Sequence, residues 1–147
     1  MKSPEISIHM VTETNAGLLD AVDPDVFDDA IQTPLLQAFL ANPANLLAVA
    51  VHDGRVIGMA SGIAYVHPDK PLQLFVNEVG VAARYHRQGI GSELLAALLD
   101  RGRDLGCREA WVATDVNNMA ARALYAATGG REDDDHAVVY TYALADD

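Results

Sequence analysis

The sequence predicts an α/β fold of the α+β kind, and three observations predict it. An apolar, strand-like run ends in a polar loop, after which Gly89-Ile90-Gly91 opens a strongly helical segment. Asp53-Gly54 separates two β-prone runs, the short-range signature of a hairpin. The periodicities then alternate along the chain in the order strand, helices, three strands, helix, strand, helix, strand. At 147 residues the chain is expected to be one domain, residues 1–147, large enough for a core without staples.

Each element follows from its residues. Ile6–Thr12 alternates as a first strand, and an acidic, helix-prone stretch runs on to about Ala30. Thr33-Pro34 before Leu35-Leu36-Gln37-Ala38-Phe39-Leu40 reads as an N-cap, a proline at the first helical position and a short helix. Leu46–His52 and Val56–Val66 flank the hairpin turn, and Gln73–Ala82 is a central strand feeding the Gly-x-Gly loop. Gly91–Leu105 keeps Leu94, Leu95, Leu98, Leu99 and Leu105 at helical spacing. Ala110–Thr114 is a strand of buried type, Met119–Ala127 a helix, and Ala137–Leu144 a final strand of β-branched and aromatic residues.

Composition excludes several functions. With 21 acidic against 10 basic residues the net charge is −11, the wrong sign for nucleic acid. No apolar run reaches the length needed to cross a bilayer, and Met1-Lys2-Ser3-Pro4-Glu5 has no signal-peptide character. The single Cys107 fits a reducing, cytoplasmic setting and reads as packing, not as a nucleophile. The five histidines show no paired spacing and there is no cysteine cluster, so no metal site is expected. The acids are clustered: Asp20, Asp23, Asp25, Asp28 and Asp29, then Glu132-Asp133-Asp134-Asp135. Such runs serve solubility in general, but several around one site would make a field that attracts a cation.

The Gly-x-Gly loop suits a phosphate. A helix N-terminus leaves backbone N–H groups without internal partners, and glycines let an anion approach them. The Rossmann and Walker A patterns are both incomplete here, since Glu93-Leu94 follows Ser92. His86-Arg87-Gln88-Gly89-Ile90-Gly91 instead resembles motif A of the GNAT acyltransferase superfamily, Gln/Arg-x-x-Gly-x-Gly/Ala, with His at the first position as a departure. Some thirty residues on, Asn118-Met119-Ala120-Ala121-Arg122-Ala123-Leu124-Tyr125-Ala126-Ala127-Thr128-Gly129-Gly130 resembles the superfamily's second signature, Asn-x-x-Ala-x-x-Leu-Tyr-x-x-x-Gly-Phe, with Gly130 in place of the aromatic. The resemblance spans roughly Leu46 to Leu144. It implies the GNAT fold, a mixed, mostly antiparallel twisted sheet flanked by helices, acetyl-coenzyme A as cofactor, and a homodimer by analogy.

Direct acetyl transfer to an amine requires a base for the ammonium, donors for the oxygen that gathers charge and a proton for the departing thiolate. The resemblance gives these tasks to Glu78, to the main-chain N–H of Val79 on the splayed central strand, and to Tyr125. It gives the cofactor Val79, Val81, His86, Arg87, Gln88, Gly89, Ile90, Gly91, Ser92, Asn118 and Tyr125. Plainer readings stand beside these: Glu78 as a partner for a cation, Tyr125 as a core aromatic, and Asn118 as the cap of its helix. Asp115 could hold a substrate amine or merely form a turn.

Phe27-Asp28-Asp29, Leu46–His52 with Asp53-Gly54, and Tyr65-Val66-His67-Pro68 before Glu78 further resemble GNAT-type aminoglycoside 3-N-acetyltransferases. That narrower resemblance implies a small polycationic amine as substrate and a role in antibiotic resistance, with Asp28, Asp29, Glu78 and Asp115 around the acceptor. The alternatives are acetylation of another amine (a polyamine, an amino sugar, a protein N-terminus or lysine) and a coenzyme A-binding module without catalysis.

Overall fold

The computed structural model describes residues 5–145. Five strands form one sheet in sequence order: β1 (Ser7–Met10), β2 (Asn45–His52), β3 (Arg55–Tyr65), β4 (Gln73–Val81) and β5 (Glu109–Trp111). The first four are antiparallel neighbours and β5 joins β4 in parallel. Three helices accompany them: α1 (Thr33–Ala41), α2 (Ile90–Leu105) and α3 (Met119–Ala127). The β2–β3 hairpin turns at Asp53 and Gly54, both with positive φ, as the Asp-Gly pair predicts.

The sheet has a core on each face. Leu94, Leu95 and Leu98 of α2 pack on Ala48, Ile57, Leu74 and Val76. The opposite face, with Val49, Val56 and Met59, is covered by Leu19 and Val26 and by Leu36, Phe39 and Leu40 of α1. Both α2 and α3 end in paired carbonyl bonds around a left-handed glycine. Cys107 N–H and Gly130 N–H reach back to the carbonyls of Gly102 and Tyr125. Cys107 is half-buried there, and burial pushes its thiol pKa up, in keeping with packing and not with nucleophilic work.

Four expectations are corrected. The acidic stretch before Ala30 is not a long helix: only Ala16–Asp20 makes a short 3-10 turn. Beyond it the backbone is spent on β3, with Asp23 N–H donating to Val56 O and Val56 N–H to Ala21 O, and Pro24 could not continue a helix ladder. The α1 helix starts at Thr33, so Gln32 takes the cap position without a side-chain bond. Residues 137–144 form no strand, and Val138, Val139, Tyr140, Tyr142 and Leu144 are exposed. With no partner on its outer side among the described residues, β5 is exposed and covers Glu109–Trp111 in place of the expected buried strand Ala110–Thr114.

Asp23 is a structural carboxylate, buried between two arginines. Arg55 Nε donates to Oδ1 at 2.9 Å, and Arg84 donates to Oδ2 from Nη2 at 2.9 Å and Nε at 3.1 Å. The Arg55 hydrogen bond, with Arg84 added against the cost of burial, holds Asp23 below its ordinary pKa of 3.8. Because the folded pKa is depressed, the stabilisation is present above that ordinary value and lost as pH falls through the folded one. Asp23→Ala is therefore expected to cost about 1–3 kcal/mol at neutral pH, moderated because both guanidinium groups can return to water. Urea melts should show the wild-type advantage shrinking at acid pH, and an advantage that persists unchanged there would contradict the assignment.

Candidate active site

The site begins with a break in alternation on β4. Leu74 and Val76 face the α2 core, yet so do Val79 and Val81, an impossible parity for a regular strand. The register resolves it: Gly62 pairs with Val76 and Ser61 with Glu78, so Asn77 is an extra, exposed residue. This bulge turns Glu78 away from the α2 core, towards the acidic loop. Burial raises the Glu78 pKa first, and the nearby Asp28 carboxylate raises it further.

The same strand presents main-chain donors. Ala82 N–H bonds Ile57 O on β3, and strand alternation aims the N–H groups of Val79 and Val81 the other way. On that side β5 pairs with β4 only across Gln73–Phe75, so among the described residues this edge of β4 has no strand partner beyond Phe75. Gly80 sits where a Cβ would come within 2.6 Å of Val26 O. The close approach that demands this glycine is thus the acidic loop's backbone, which the loop needs in order to bring Asp28 near Glu78.

The loop into α2 has the form of an anion cradle. Arg87 and Gly89 both have positive φ, which turns successive N–H groups to one side, and Gly89 pays no Cβ penalty for it. Glu93 N–H to Gly89 O is the first bond of the helix, and no side chain caps the N–H groups before it. A Cβ on Gly91 would meet Leu124 at 3.5 Å and Val79 at 4.0 Å, so β4, α2 and α3 converge there. These donors and this gap fit a pyrophosphate-bearing cofactor with a narrow arm. His86 has a different attachment from the one motif A suggests: its Nε2 donates to Val81 O at 2.7 Å, tying the loop to the strand end.

Tyr125 on α3 is half-buried, burial raises its phenol pKa, and its hydroxyl meets no hydrogen-bond partner among the described residues. Asn118 caps α3, accepting Ala121 N–H at Oδ1 over 3.1 Å. Asp115 lies in the exposed loop before α3, its carbonyl accepting Asn118 N–H. Asp28 and Asp29 are both exposed, and Asp28 lies close enough to Glu78 to act on its charge. Other acids of the expected field are engaged elsewhere. Asp25 accepts Ala83 N–H at 2.7 Å, and Glu132 is held by Arg122 through two bonds of 2.6 and 3.0 Å. A groove of about 290 Å³ on the Glu78 side is lined by Phe39, Ser61, Phe75 and Asn77. The sequence reading missed Asn77, although the switch from even to odd apolar positions along β4 signals the bulge.

Known proteins resemble this chain in sequence and in fold. An uncharacterized N-acetyltransferase of Mycobacterium tuberculosis is 29% identical over 91 residues, covering 62% of this chain and 56% of that protein. The L-2,4-diaminobutyric acid acetyltransferase of Virgibacillus pantothenticus is 40% identical over 55 residues, 37% of this chain and 33% of that protein. The chain thus spans from a third to just over half of these curated relatives. The structure of AAC(6')-Iy in complex with a CoA-S-monomethyl-acetylneamine bisubstrate analogue superposes with a TM-score of 0.77 at 20% identity, over 95% of this chain and 99% of that one. An aminoglycoside acetyltransferase from an uncultured soil metagenomic sample, in complex with sisomicin, superposes with a TM-score of 0.75 at 18% identity, over 95% and 97%. At such identities the superpositions establish the fold. The named aminoglycoside enzyme AAC(6')-Iy carries the 6' designation, so the narrower likeness to 3-N-acetyltransferases finds no support there. Residues 13–129 match the Acetyltransferase (GNAT) family, and the chain belongs to that family.

Proposed function

We propose that this protein acetylates a primary amine of a polycationic small molecule, with an aminoglycoside as the first candidate and acetyl-CoA as donor. The observation that carries the reading is the bulge at Asn77. It aims the Glu78 carboxylate towards the Asp28 loop and leaves Val79 and Val81 N–H groups on the open side of the same strand. Acetyl-CoA, when bound, supplies the acetyl thioester. Gly89, Ile90, Gly91 and Ser92 would hold its pyrophosphate through their N–H groups, with Arg87 and Gln88 shaping that loop. Glu78 takes the proton of the incoming ammonium, a task helped by its raised pKa. Val79 N–H offers a donor for developing negative charge, and the Tyr125 hydroxyl holds a proton for the departing sulfur. Asn118 and the Val81 N–H are further contacts for the cofactor arm, and Asp28, Asp29 and Asp115 for the acceptor.

A second reading, a diamino acid acceptor, is favoured by the names of two relatives, the L-2,4-diaminobutyric acid acetyltransferases of Virgibacillus pantothenticus and Nocardia farcinica. Such a substrate also carries a carboxylate that wants a cation. Arg55 and Arg84, the basic residues beside the acidic loop, are both spent on Asp23. This favours an acceptor bearing ammonium groups alone. The proposal includes a cytoplasmic place and a homodimer, and the resemblance that suggests 3-N attack is tested by identifying the acetylated amine by NMR.

Release of the coenzyme A thiol with aminoglycosides, polyamines, L-2,4-diaminobutyrate and peptides decides among these. If no amine supports turnover while coenzyme A still raises the melting temperature, the protein is a binding module. For an aminoglycoside, KM should rise with salt, since exposed carboxylates act partly at long range. Asp28→Asn/Asp29→Asn should raise KM roughly 3–10-fold more than it lowers kcat, as expected for groups that bind ground and transition states alike. It should also lower the pKa governing the acid limb of kcat/KM, because Asp28 raises that of Glu78. An unchanged KM would remove the acidic loop from the acceptor site.

A further inference from the structure

We propose that Asp25 is a positioning residue for both halves of the site: through Ala83 N–H it holds the acidic loop and the anion loop in one register. The inference rests on the reading that places coenzyme A pyrophosphate at the start of α2 and the acceptor beside Asp28. The residues between β4 and the anion loop are fastened one after another. Ala83 N–H donates to Asp25 Oδ2 at 2.7 Å, and Arg84 donates to Asp23 Oδ2 from Nε and Nη2. The Tyr85 hydroxyl and His52 Nδ1 share a hydrogen bond of 2.6 Å, and His86 Nε2 donates to Val81 O. Immediately afterwards the pattern reverses: the N–H groups of Arg87, Gln88 and Gly89 meet no backbone acceptor among the described residues. Fastened residues thus lead straight into the donors that would receive an anion.

Asp25 acts on the main chain where no neighbour can. Ala83–Tyr85 form a 3-10 turn whose first N–H has no partner inside the turn. Ala82 stands at the cap position and has no side-chain oxygen to receive it. Asp25 supplies that cap from 58 residues away, and a carboxylate acceptor makes the bond a strong one. The Asp23 clamp, in contrast, grips only the long side chain of Arg84. The other end of the tether leads to the acceptor side. Val26, the next residue, packs in one core with Ala82 and Tyr85, and its carbonyl crowds Gly80. A short way further along the same loop, Asp28 acts on Glu78. One hydrogen bond therefore joins the donors for the cofactor to the carboxylates for the acceptor. Groups already held in place bind without the cost of ordering them, so loosening this bond weakens both halves.

The other role open to Asp25 is that of one more charge in the acidic cluster, and the two roles predict different results. As a charge, Asp25 repels the phosphates of the cofactor, so any neutral substitution should tighten coenzyme A binding. As a tether, it makes alanine and asparagine differ. Asparagine keeps a side-chain oxygen for Ala83 N–H, and alanine keeps none. The sign of the alanine effect and the rescue by asparagine together isolate the positioning role.

Titration calorimetry of the full chain with coenzyme A should show Asp25→Ala weakened by about 10-fold, the size of one lost cap or charge-assisted bond. Asp25→Asn should bind as wild type does or slightly more tightly. On the acceptor side, NMR of the Glu78 carboxyl should find its titration moved towards its ordinary 4.5 further by Asp25→Ala than by Asp25→Asn. Asp28 drifts from Glu78 only when the tether is lost, whereas the charge is lost in both variants. Each variant should still melt cooperatively near the wild-type temperature, because Asp23 stays clamped and Val26 stays buried. Equal coenzyme A affinity in Asp25→Ala and wild type would overturn the proposal. So would equal changes in the two variants, or a Glu78 titration that does not tell them apart. A wild type that binds no coenzyme A would overturn the site reading, and this proposal with it.

Discussion

Glu78→Gln is expected to lower kcat at saturating acetyl-CoA by about 10²–10⁴-fold, the usual weight of a general base. The variant keeps the shape of the side chain and the bulge that positions it, so affinity for the cofactor should be unaltered. The wild-type rate should climb with pH through the Glu78 pKa, which lies above its ordinary 4.5 because burial and Asp28 disfavour the charged form. The glutamine variant should lose that limb of the profile. Stability separates this role from a merely structural one. A carboxylate with a raised folded pKa contributes stability below its unfolded value and loses it as pH rises through the folded one. At neutral pH the charged Glu78 is therefore a small burden, and Glu78→Gln should melt at the same temperature or higher. A variant with near-normal turnover, or one that melts well below wild type, would move proton removal to another group.

The acidic composition turns out to serve two purposes that the sequence does not separate. Asp23 and Asp25 are in the same cluster as Asp28 and Asp29, yet the first is clamped between Arg55 and Arg84 and the second caps Ala83 N–H. What distinguishes them is a contact more than fifty residues away in the chain, between the loop and the strand end at Ala83-Arg84. The consequence is favourable to the proposed site: the internal pairs fix the loop, and the fixed loop carries Asp28 to Glu78.

Local chemistry made the helices, the hairpin and the anion loop readable. The Asp-Gly turn, the Asn118 cap, the Gly129 stop and the Gly-x-Gly opening each act within a few residues, and each occurs in the structure where its signal lies. The parts that were not readable depend on distant partners. The stretch before Ala30 has helical composition but spends its backbone bonds on β3. The final strand has strand composition but finds no partner within the described chain. At the candidate site, Glu78, Val79, Gly91 and Tyr125 were named from motifs, and β4, α2 and α3 do converge around Gly91. Motifs alone could not supply the parity change at Asn77, which decides the face that Glu78 serves, or the attachment of His86 to Val81.

Gly91→Asp is expected to weaken coenzyme A binding by about 10²–10³-fold, the effect of like charges forced together at several kcal/mol. The Cβ itself is tolerated, since its nearest neighbours, Leu124 and Val79, stand at ordinary contact distance. The carboxylate enters the gap among β4, α2 and α3, beside the uncapped N–H groups that would hold pyrophosphate. An acid in the first turn of a helix favours the helix through its dipole, so the fold should survive and the melting temperature of the free protein should hold. Those two effects have opposite signs, which makes the experiment decisive. Titration calorimetry with coenzyme A should show lost affinity in a protein as stable as wild type, and Gly91→Ala, which adds bulk without charge, should lose far less. Should Gly91→Asp bind coenzyme A as wild type does, the N-terminus of α2 is not the cradle, and the free donors there need another explanation.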